Sequence, residues 1–304
     1  MKGRRRLFVA VDILYLCMMI LPIVTGIILR VLTAPAKEGI TITGAQIFWS
    51  IPFPIQNLII TESQINSVLV TITILGLCLY LTHGLKVKDI SRRQHVAEWI
   101  IEKTESMVQD SMGEHFSGFS TFITAILALS GFSSLLSLFG LYPPTSDLNV
   151  TAGWAVLVFV LITYYKFKCG PVQYLKSFAQ PIALTPLNVI SEIATPVSMA
   201  FRHYGNVLSG TVISVLVATG LQGLSHLLLG WLPGFFGEFP LLQIGLPAIL
   251  SIYFDVFSGC LQAYIFAMLT MMYVGGAFDA ELYFKKKEEK IKKKNIKTTK
   301  LEVN

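Results

Sequence analysis

The stretch PVSMAFRHYGNVLSGTVISVLVA, residues 196–218, places one arginine, Arg202, at the start of a long apolar run. A cation near the middle of a bilayer costs at least about 2.5–3.5 kcal/mol. Such a residue usually faces a polar partner or a water path, so it marks a candidate functional site. The alternative is an arginine that snorkels from a helix end to the interface. The stretch therefore predicts a membrane helix that carries a functional charge.

The composition extends this prediction to the whole chain. Of its 304 residues, 53% are hydrophobic and only 14% are charged, whereas soluble domains carry about 25% charged residues. The net charge of +6 comes from residues 285–300, which hold nine lysines and two glutamates and leave the rest of the chain at −1. The pattern predicts an all-α polytopic membrane protein with a solvated basic tail, and it excludes a nucleic-acid-binding surface.

Apolar runs predict about six membrane-embedded helices, over residues 7–31, 65–85, 119–142, 152–165, 182–228 and 243–280. The last two are long enough to be tilted and to form a hairpin. Residues 93–113 alternate apolar and charged positions at helical spacing, which predicts an amphipathic helix on the membrane surface or against a partner. Pro143 and Pro144 end the third span, and Ser146 or Asp147 can cap the next helix.

Positive clusters fix the predicted topology. They lie at residues 2–6, 86–93, 166–176 and 285–300, and the predicted spans place all four on one side, the cytoplasm. The predicted organisation is an extra N-terminal transmembrane or signal-like segment (1–39), an external loop (40–63), a membrane domain (64–284) and a basic cytoplasmic tail (285–304). A retained first helix is favoured over a cleaved signal peptide, because its 17-residue uncharged run is long and Pro35 sits beside the cleavage position.

Polar side chains form one stripe on each long helix. At 100° per residue, four of them share a face about 100° wide: Glu192, Arg202, His203 and Asn206. Asp255, Gln262 and Tyr273 share a face of the last helix in the same way, with Asp255 about 10 Å outward of Gln262. Two such stripes predict a proton or ion route. The alternative is that these residues only hold helices together by hydrogen bonds.

Other features narrow the function. Gly205, Ser209 and Gly210 give a small-residue surface that permits close packing, within this chain or against a partner. The sequence has no GxxxxGK[ST] loop and no HExxH helix, and its four cysteines and five histidines show no ligand spacing. We therefore expect no nucleotide site, no metal, no cofactor and no enzymatic activity in this chain alone.

Three motifs carry a resemblance: PPTSDLNVT (143–151), FRHYGNVLSG (201–210) and LQAYIFAMLTMMYV (261–274). Together they resemble subunit a of the F-type rotary ATP synthase, over about residues 64–277. The resemblance implies a stator subunit that passes protons or sodium ions to a rotating ring of c-type subunits. It also implies a b-type peripheral stalk, the rest of the synthase and a bacterial plasma membrane. The rival interpretations are an independent ion-coupled secondary transporter and a structural scaffold.

The resemblance also implies residue roles. The family's stator arginine falls on Arg202, and its other ion-path residues fall on Glu192, Asn206, Gln262 and Tyr273. Many members carry an acid where this chain has Thr211, and often a histidine where it has Asp255. We therefore expect Asp255 to serve the outer half-channel, with accessory roles for His203, Thr211, Asp147 and Asn149 and ring-facing packing by Gly205, Ser209 and Gly210.

Overall fold

The computed structural model describes residues 2–33, 44–54, 57–88, 90–172, 174, 176, 185–231, 242, 245–281 and 283–285. Six of its helices are long and apolar enough to cross a membrane. The predicted fold class, an all-α polytopic membrane protein, is confirmed. The predicted tail from residue 286 onward and the candidate cleavage position at residues 34–36 lie outside the described residues.

The first helix packs lengthwise on the second. Helix α1 spans Lys2–Thr33 and α2 spans Glu62–Thr82. Gly76 permits the close approach, since a Cβ placed there would lie 2.9 Å from the backbone nitrogen of Met19. Charged or ionisable pairs stand at both ends: Arg30 Nη1 lies 3.3 Å from Glu62 Oε1, and Asp12 lies 2.9 Å from His83, the residue after α2, and 2.9 Å from Arg93 further along the chain. The contact thus combines apolar packing with a charged clamp at each end.

A short hairpin fills part of the predicted external loop. Strands β1 (Ile47–Ile51) and β2 (Leu58–Thr61) pair in antiparallel fashion, with an irregularity between Ile47 and Trp49. Isoleucine-rich runs favour strands, and a proline directly after β1 ends it because proline cannot donate to the ladder. The two strands are not predicted from the sequence, because both runs are too short to stand out from the loop composition around them, and the external position of this segment stays a prediction.

The amphipathic helix is confirmed as α3, Arg92–Met112. Its second half packs into the chain through Val108, which is fully buried, and Met107. Its first half leaves Val96 and Trp99 exposed. The apolar face is therefore shared between the chain's own core and the surroundings.

The core lies between three spanning helices. They are α4 (Ser120–Leu135), α5 (Leu148–Cys169) and α8 (Gly259–Gly276). A 3₁₀ turn, Leu136–Phe139, and Gly140 at φ +72° end the α4 segment before the two prolines are reached. Asp147 caps α5 by accepting a hydrogen bond from the Asn149 backbone. Of the two caps left open by the sequence, Asp147 is the one used.

The two long C-terminal spans complete the bundle. Helix α6 covers Thr185–Leu229, 45 residues, and is about 68 Å long at 1.5 Å per residue. A hydrocarbon core of about 30 Å requires such a helix to tilt strongly. The last span begins with α7 (Leu246–Ser251), widens into a π-helix at Ile252–Ser258, and continues as α8.

Two ends of the bundle differ in charge. We call the end with Arg93, Lys166 and Lys168 the basic face, and the end with Arg30 and Glu62 the opposite face. At the basic face, Lys168 lies 5.4 Å from the ring centre of Tyr283, which brings the end of α5 to the end of the last span. The end of α5, with Lys166 and Lys168, therefore lies beside the end of the last span, as the predicted topology requires, while Arg30 lies at the opposite face.

Candidate functional site

Arg202 lies on the outer side of α6, and its side chain is exposed. The adjacent positions Met199, Ala200 and His203 are buried in the core. Within the described ranges, Arg202 takes part in no ion pair. The helix thus presents a cation away from its own chain, on a surface that lies at membrane depth.

Small residues flank this arginine on the same side of α6. Ser198 and Ser209 are exposed, and a Cβ placed on Gly205 would meet nothing within 4 Å. Ser198 stands four residues before Arg202, and Gly205 and Ser209 stand three and seven residues after it, so the three residues form one stripe. Gly210 differs from the ring-facing expectation. It is buried, and a Cβ there would lie 3.2 Å from Phe254 of the last span, so it serves packing inside the chain.

A polar cavity of about 230 Å³ lies at the basic face. It brings together two residues predicted from the sequence, Glu192 on α6 and Tyr273 on α8. Lys166 at the end of α5 contacts both oxygens of Glu192, at 2.6 and 2.8 Å. The Tyr174 hydroxyl donates to the same carboxylate at 3.2 Å. Burial and the adjacent Glu192 carboxylate raise the pKa of Tyr174, so it remains a donor.

A second cavity, of about 320 Å³, lies at the opposite face. It joins Asp255 from the π-helix to Thr211 of α6, two residues that the sequence comparison linked. Further polar groups line it: Arg30, Gln46, Glu62, Ser137, Tyr142, Ser214 and Ser251. Burial, followed by nearby Asp147, raises the pKa of Tyr142. The cavity therefore offers carboxylates and hydroxyls as a chain of hydrogen-bonding groups.

Asn206 and Gln262 lie between the two cavities. The Asn206 amide donates to the Ser258 hydroxyl at 3.0 Å, which fastens α6 to the end of the π-helix. Gln262, one turn further along the last span, is buried. Asn206 therefore joins the two long helices, and Gln262 is withdrawn from the outer surface on which Arg202 lies.

His203 occupies a different environment from the predicted stripe. It is buried, with Nε2 3.3 Å from Ser130 Oγ and its ring edge-on to Trp154 and Phe266. Ideal helix angles place it within 100° of Arg202, but the angle does not tell which neighbours cover that side. The structure assigns His203 to the core packing.

Asp147 and Asn149 serve local structure at the opposite face. Ser63 donates to Asp147 Oδ2, which ties the start of α2 to the start of α5, while Oδ1 caps α5. Neither residue lines the opposite-face cavity as described. Among the described residues, no three His, Cys, Asp or Glu side chains gather as a metal site.

Comparison with known proteins identifies the family. A family model described as ATP synthase A chain matches residues 64–275, more than two thirds of the chain. The chain belongs to the ATP synthase A chain family. The resemblance drawn from the three sequence motifs is thereby confirmed.

Individual relatives agree with this family. The chain is similar to ATP synthase subunit a of Priestia megaterium, with 32% identity over 230 residues that cover 71% of this chain and 92% of the relative. It is 35% identical to the Staphylococcus carnosus protein of the same name over 43% of this chain and 50% of the relative. It is 36% identical to the ATP synthase subunit a of Desulforamulus reducens, over 45% of this chain and 49% of the relative. The matches to these last two span about half of each relative.

Sequence reasoning missed several residues of this family member's cavities. Glu62 and Ser137 stand at the opposite face, and Lys166, Tyr174 and Ser258 contact predicted residues. Lys166 was placed only in a topology-setting cluster. The sequence shows only that Lys166 lies on the last turn of α5, directly after an apolar span. That position does not predict contact with Glu192, which is 26 residues away.

Proposed function

We propose that this chain is the ion-translocating stator subunit of a rotary F-type ATP synthase. Its family membership supports that role, and no observation favours an independent transporter. The observation that carries the proposal is the exposed Arg202 between two separate polar cavities. Along α6, Glu192 lies ten residues before Arg202, a rise of about 15 Å, and Thr211 lies nine residues after Arg202, a rise of about 14 Å.

The two cavities act as half-channels. In the synthesis direction, an ion enters the opposite-face cavity past Asp255 and binds a carboxylate on the ring. After rotation, that carboxylate meets Arg202 and releases its ion into the basic-face cavity beside Glu192 and Tyr273. Asn206 and Gln262 hold the two long helices in register around the arginine.

Arginine suits the position between them for two reasons. Its guanidinium is not deprotonated in proteins, so it cannot hand a proton from one half-channel to the other. A cation within about 4–6 Å of a carboxylate favours the ionised form, which promotes release of the bound ion. The stripe of Ser198, Gly205 and Ser209 lets a ring helix approach closely enough for this contact.

The proposed setting is a bacterial plasma membrane, with the basic face in the cytoplasm. The charge asymmetry between the two ends supports this orientation. The proposed partners are a ring of c-type subunits at the Arg202 surface, a b-type peripheral stalk and the remaining synthase subunits. No nucleotide site is expected in this chain, because catalysis belongs to another part of the complex.

Co-purification tests the proposal. The tagged chain, extracted in mild detergent, should bring down a small-subunit ring oligomer and ATP hydrolysis, and the reconstituted complex should couple hydrolysis to ion uptake into vesicles. Ion uptake by the purified chain alone, with no other subunit present, would instead establish an independent transporter. Impermeant thiol labelling of a cysteine at Lys300 tests the orientation, and labelling from outside intact cells contradicts it.

A further inference from the structure

Glu192 at the basic-face cavity is not an isolated acid. The Lys166 ammonium approaches both of its oxygens at 2.6 and 2.8 Å, so the cation covers the side of the carboxylate that an incoming ion would use. The pair is partly withdrawn from solvent, with side-chain exposures of 29% for Lys166 and 19% for Glu192.

The surroundings keep the ammonium in place. Lys166 lies in the last turn of α5 and 5.3 Å from the ring centre of Tyr174, a distance at which the ring attracts a cation. Tyr174 also donates to Glu192, so one tyrosine contacts both partners. Tyr273 of α8 lines the same cavity. Among the described residues, Lys166, Tyr174 and Tyr273 are the titratable groups that contact Glu192 or line its cavity.

We propose that Lys166 is a positioning residue of the basic-face half-channel, a tethered cation that competes with the transported ion for Glu192. This inference rests on the proposed function. An ion that reaches Glu192 from the ring is displaced by the ammonium and leaves to the cytoplasm, and the ammonium then covers the carboxylate again. Without Lys166, Glu192 retains a proton or sodium ion for longer, and exit slows.

The experiment uses the whole synthase in vesicles whose nucleotide-hydrolysing head faces the medium. Ion-driven ATP synthesis is measured against medium pH, with the pH difference and membrane potential held constant. Lys166→Gln should lower the rate about 3- to 10-fold on the acid side and move the acid limb of the profile upward by about 1 pH unit. Lys166→Arg keeps the cation and should restore the parental profile.

Lys168→Gln is the matched control. Lys168 stands two residues further along α5, over Tyr164, Tyr165 and Tyr283, and not at Glu192. Its removal takes away the same charge from the same face, so it should leave the acid limb in place. A shift equal to that of Lys166→Gln would mean that general surface charge, and not contact with Glu192, sets the profile.

Pairing with Glu192→Gln tests the route of the effect. In that background Lys166→Gln should change the rate no further, because the carboxylate it acts on is gone. An unchanged profile in Lys166→Gln at normal subunit content, or an equal effect in both backgrounds, overturns the inference. Failure of the proposed function itself would give different results. The parental complex would then make no ATP from an ion gradient, or Arg202→Ala would leave synthesis intact.

Discussion

Helices α1 and α6 are equally exposed in their most apolar stretches, but their charged residues differ. In each, only 6% of the most apolar stretch is buried. Among the α1 side chains that the structure describes, Arg30 pairs with Glu62, and Asp12 pairs with Arg93 and His83. Arg202 stands within α6, and no acid pairs with it among the residues described.

This difference separates α1 from the helix that we propose faces the ring. Leucine, isoleucine and valine side chains exposed on α1 are satisfied by lipid tails. A guanidinium at the same depth is not, because its desolvation is unfavourable without a partner. Exposure alone therefore does not identify the ring surface. The combination of exposure with an unpaired charge does.

The largest effect is expected at Arg202. Arg202→Ala should lower ion-driven ATP synthesis by about 100-fold or more, because a fixed charge at the site of ion release is lost. It should also permit passive ion leak through the membrane sector. Arg202→Lys should fail too, since a desolvated lysine can lose its proton. Synthesis and leak are measured in the same vesicles.

Arg30→Ala is the matched arginine control for this comparison. The Arg30 side chain is 45% exposed, but its partner Glu62 is only 5% exposed, so Arg30→Ala leaves a buried carboxylate without its cation and should lower the amount of intact complex. Synthesis per intact complex should stay within a few-fold of the parental rate, because the cation at Arg202 remains. If Arg30→Ala abolished synthesis while Arg202→Ala preserved it, the assignment of α6 as the ring-facing helix would be reversed.

The next largest effect is expected at Asp255. Asp255→Asn should slow ion translocation about tenfold, because the opposite-face cavity loses a carboxylate that can take up and pass on the ion. Thr211→Glu in that background should restore part of the rate, since both residues line one cavity. Initial rates of ATP-driven ion uptake are the measurement.

Asp147→Ala separates this role from packing. Asp147 caps α5 and binds Ser63, so its loss should lower the stability of the complex by about 0.5–2 kcal/mol and leave the rate per intact complex unchanged. A parental transport rate in Asp255→Asn, with normal subunit content, would show that the ion path runs elsewhere.

A smaller effect is expected where α1 meets α2. Gly76→Ala places a Cβ 2.9 Å from the Met19 backbone, so the helices must separate, which costs about 1–3 kcal/mol. Thermal dissociation of the subunit from the complex should occur at lower temperature, with transport per intact complex preserved. Gly131→Ala, where a Cβ meets nothing within 4 Å, is the control and should not destabilise.

The smallest effect is expected in the basic tail. Truncation after Lys290 removes five of the nine tail lysines and should leave coupling close to parental, because the predicted role of the tail is topological. The ratio of ions moved to ATP made is the measurement. A loss of coupling at normal subunit content would assign the tail a role in the rotary cycle.

Prediction from the sequence succeeded where a local pattern suffices. Apolar run length gave the six spans. Glu192 and Tyr273 line one cavity and Asp255 and Thr211 line another, while their roles in ion transport stay predictions. The sequence pattern did not predict the burial of His203, because the position of a residue around its helix does not show which neighbouring helix covers that residue. It also missed the π-helix at Ile252–Ser258, which widens the turn that carries Asp255 and alters its angle to Gln262.

Contacts between residues that are distant in the sequence could not be predicted either. Lys166 and Glu192 are 26 residues apart, and Ser258 and Asn206 are 52 apart. No periodicity links such pairs, since they meet only because three helices pack together. The residues that govern the cavities are therefore found partly by pattern and partly by packing.

The strong tilt of α6 between its two cavities has an electrical consequence. Once water fills both cavities, each carries the potential of its own bulk phase deep into the membrane. The voltage then falls mainly across the short protein barrier at Arg202 and not evenly over about 30 Å of hydrocarbon. In the proposed complex, about 2.3 kcal/mol per charge per 100 mV is thereby delivered at the ring carboxylates closest to the arginine, where a field along the membrane plane can turn a rotor.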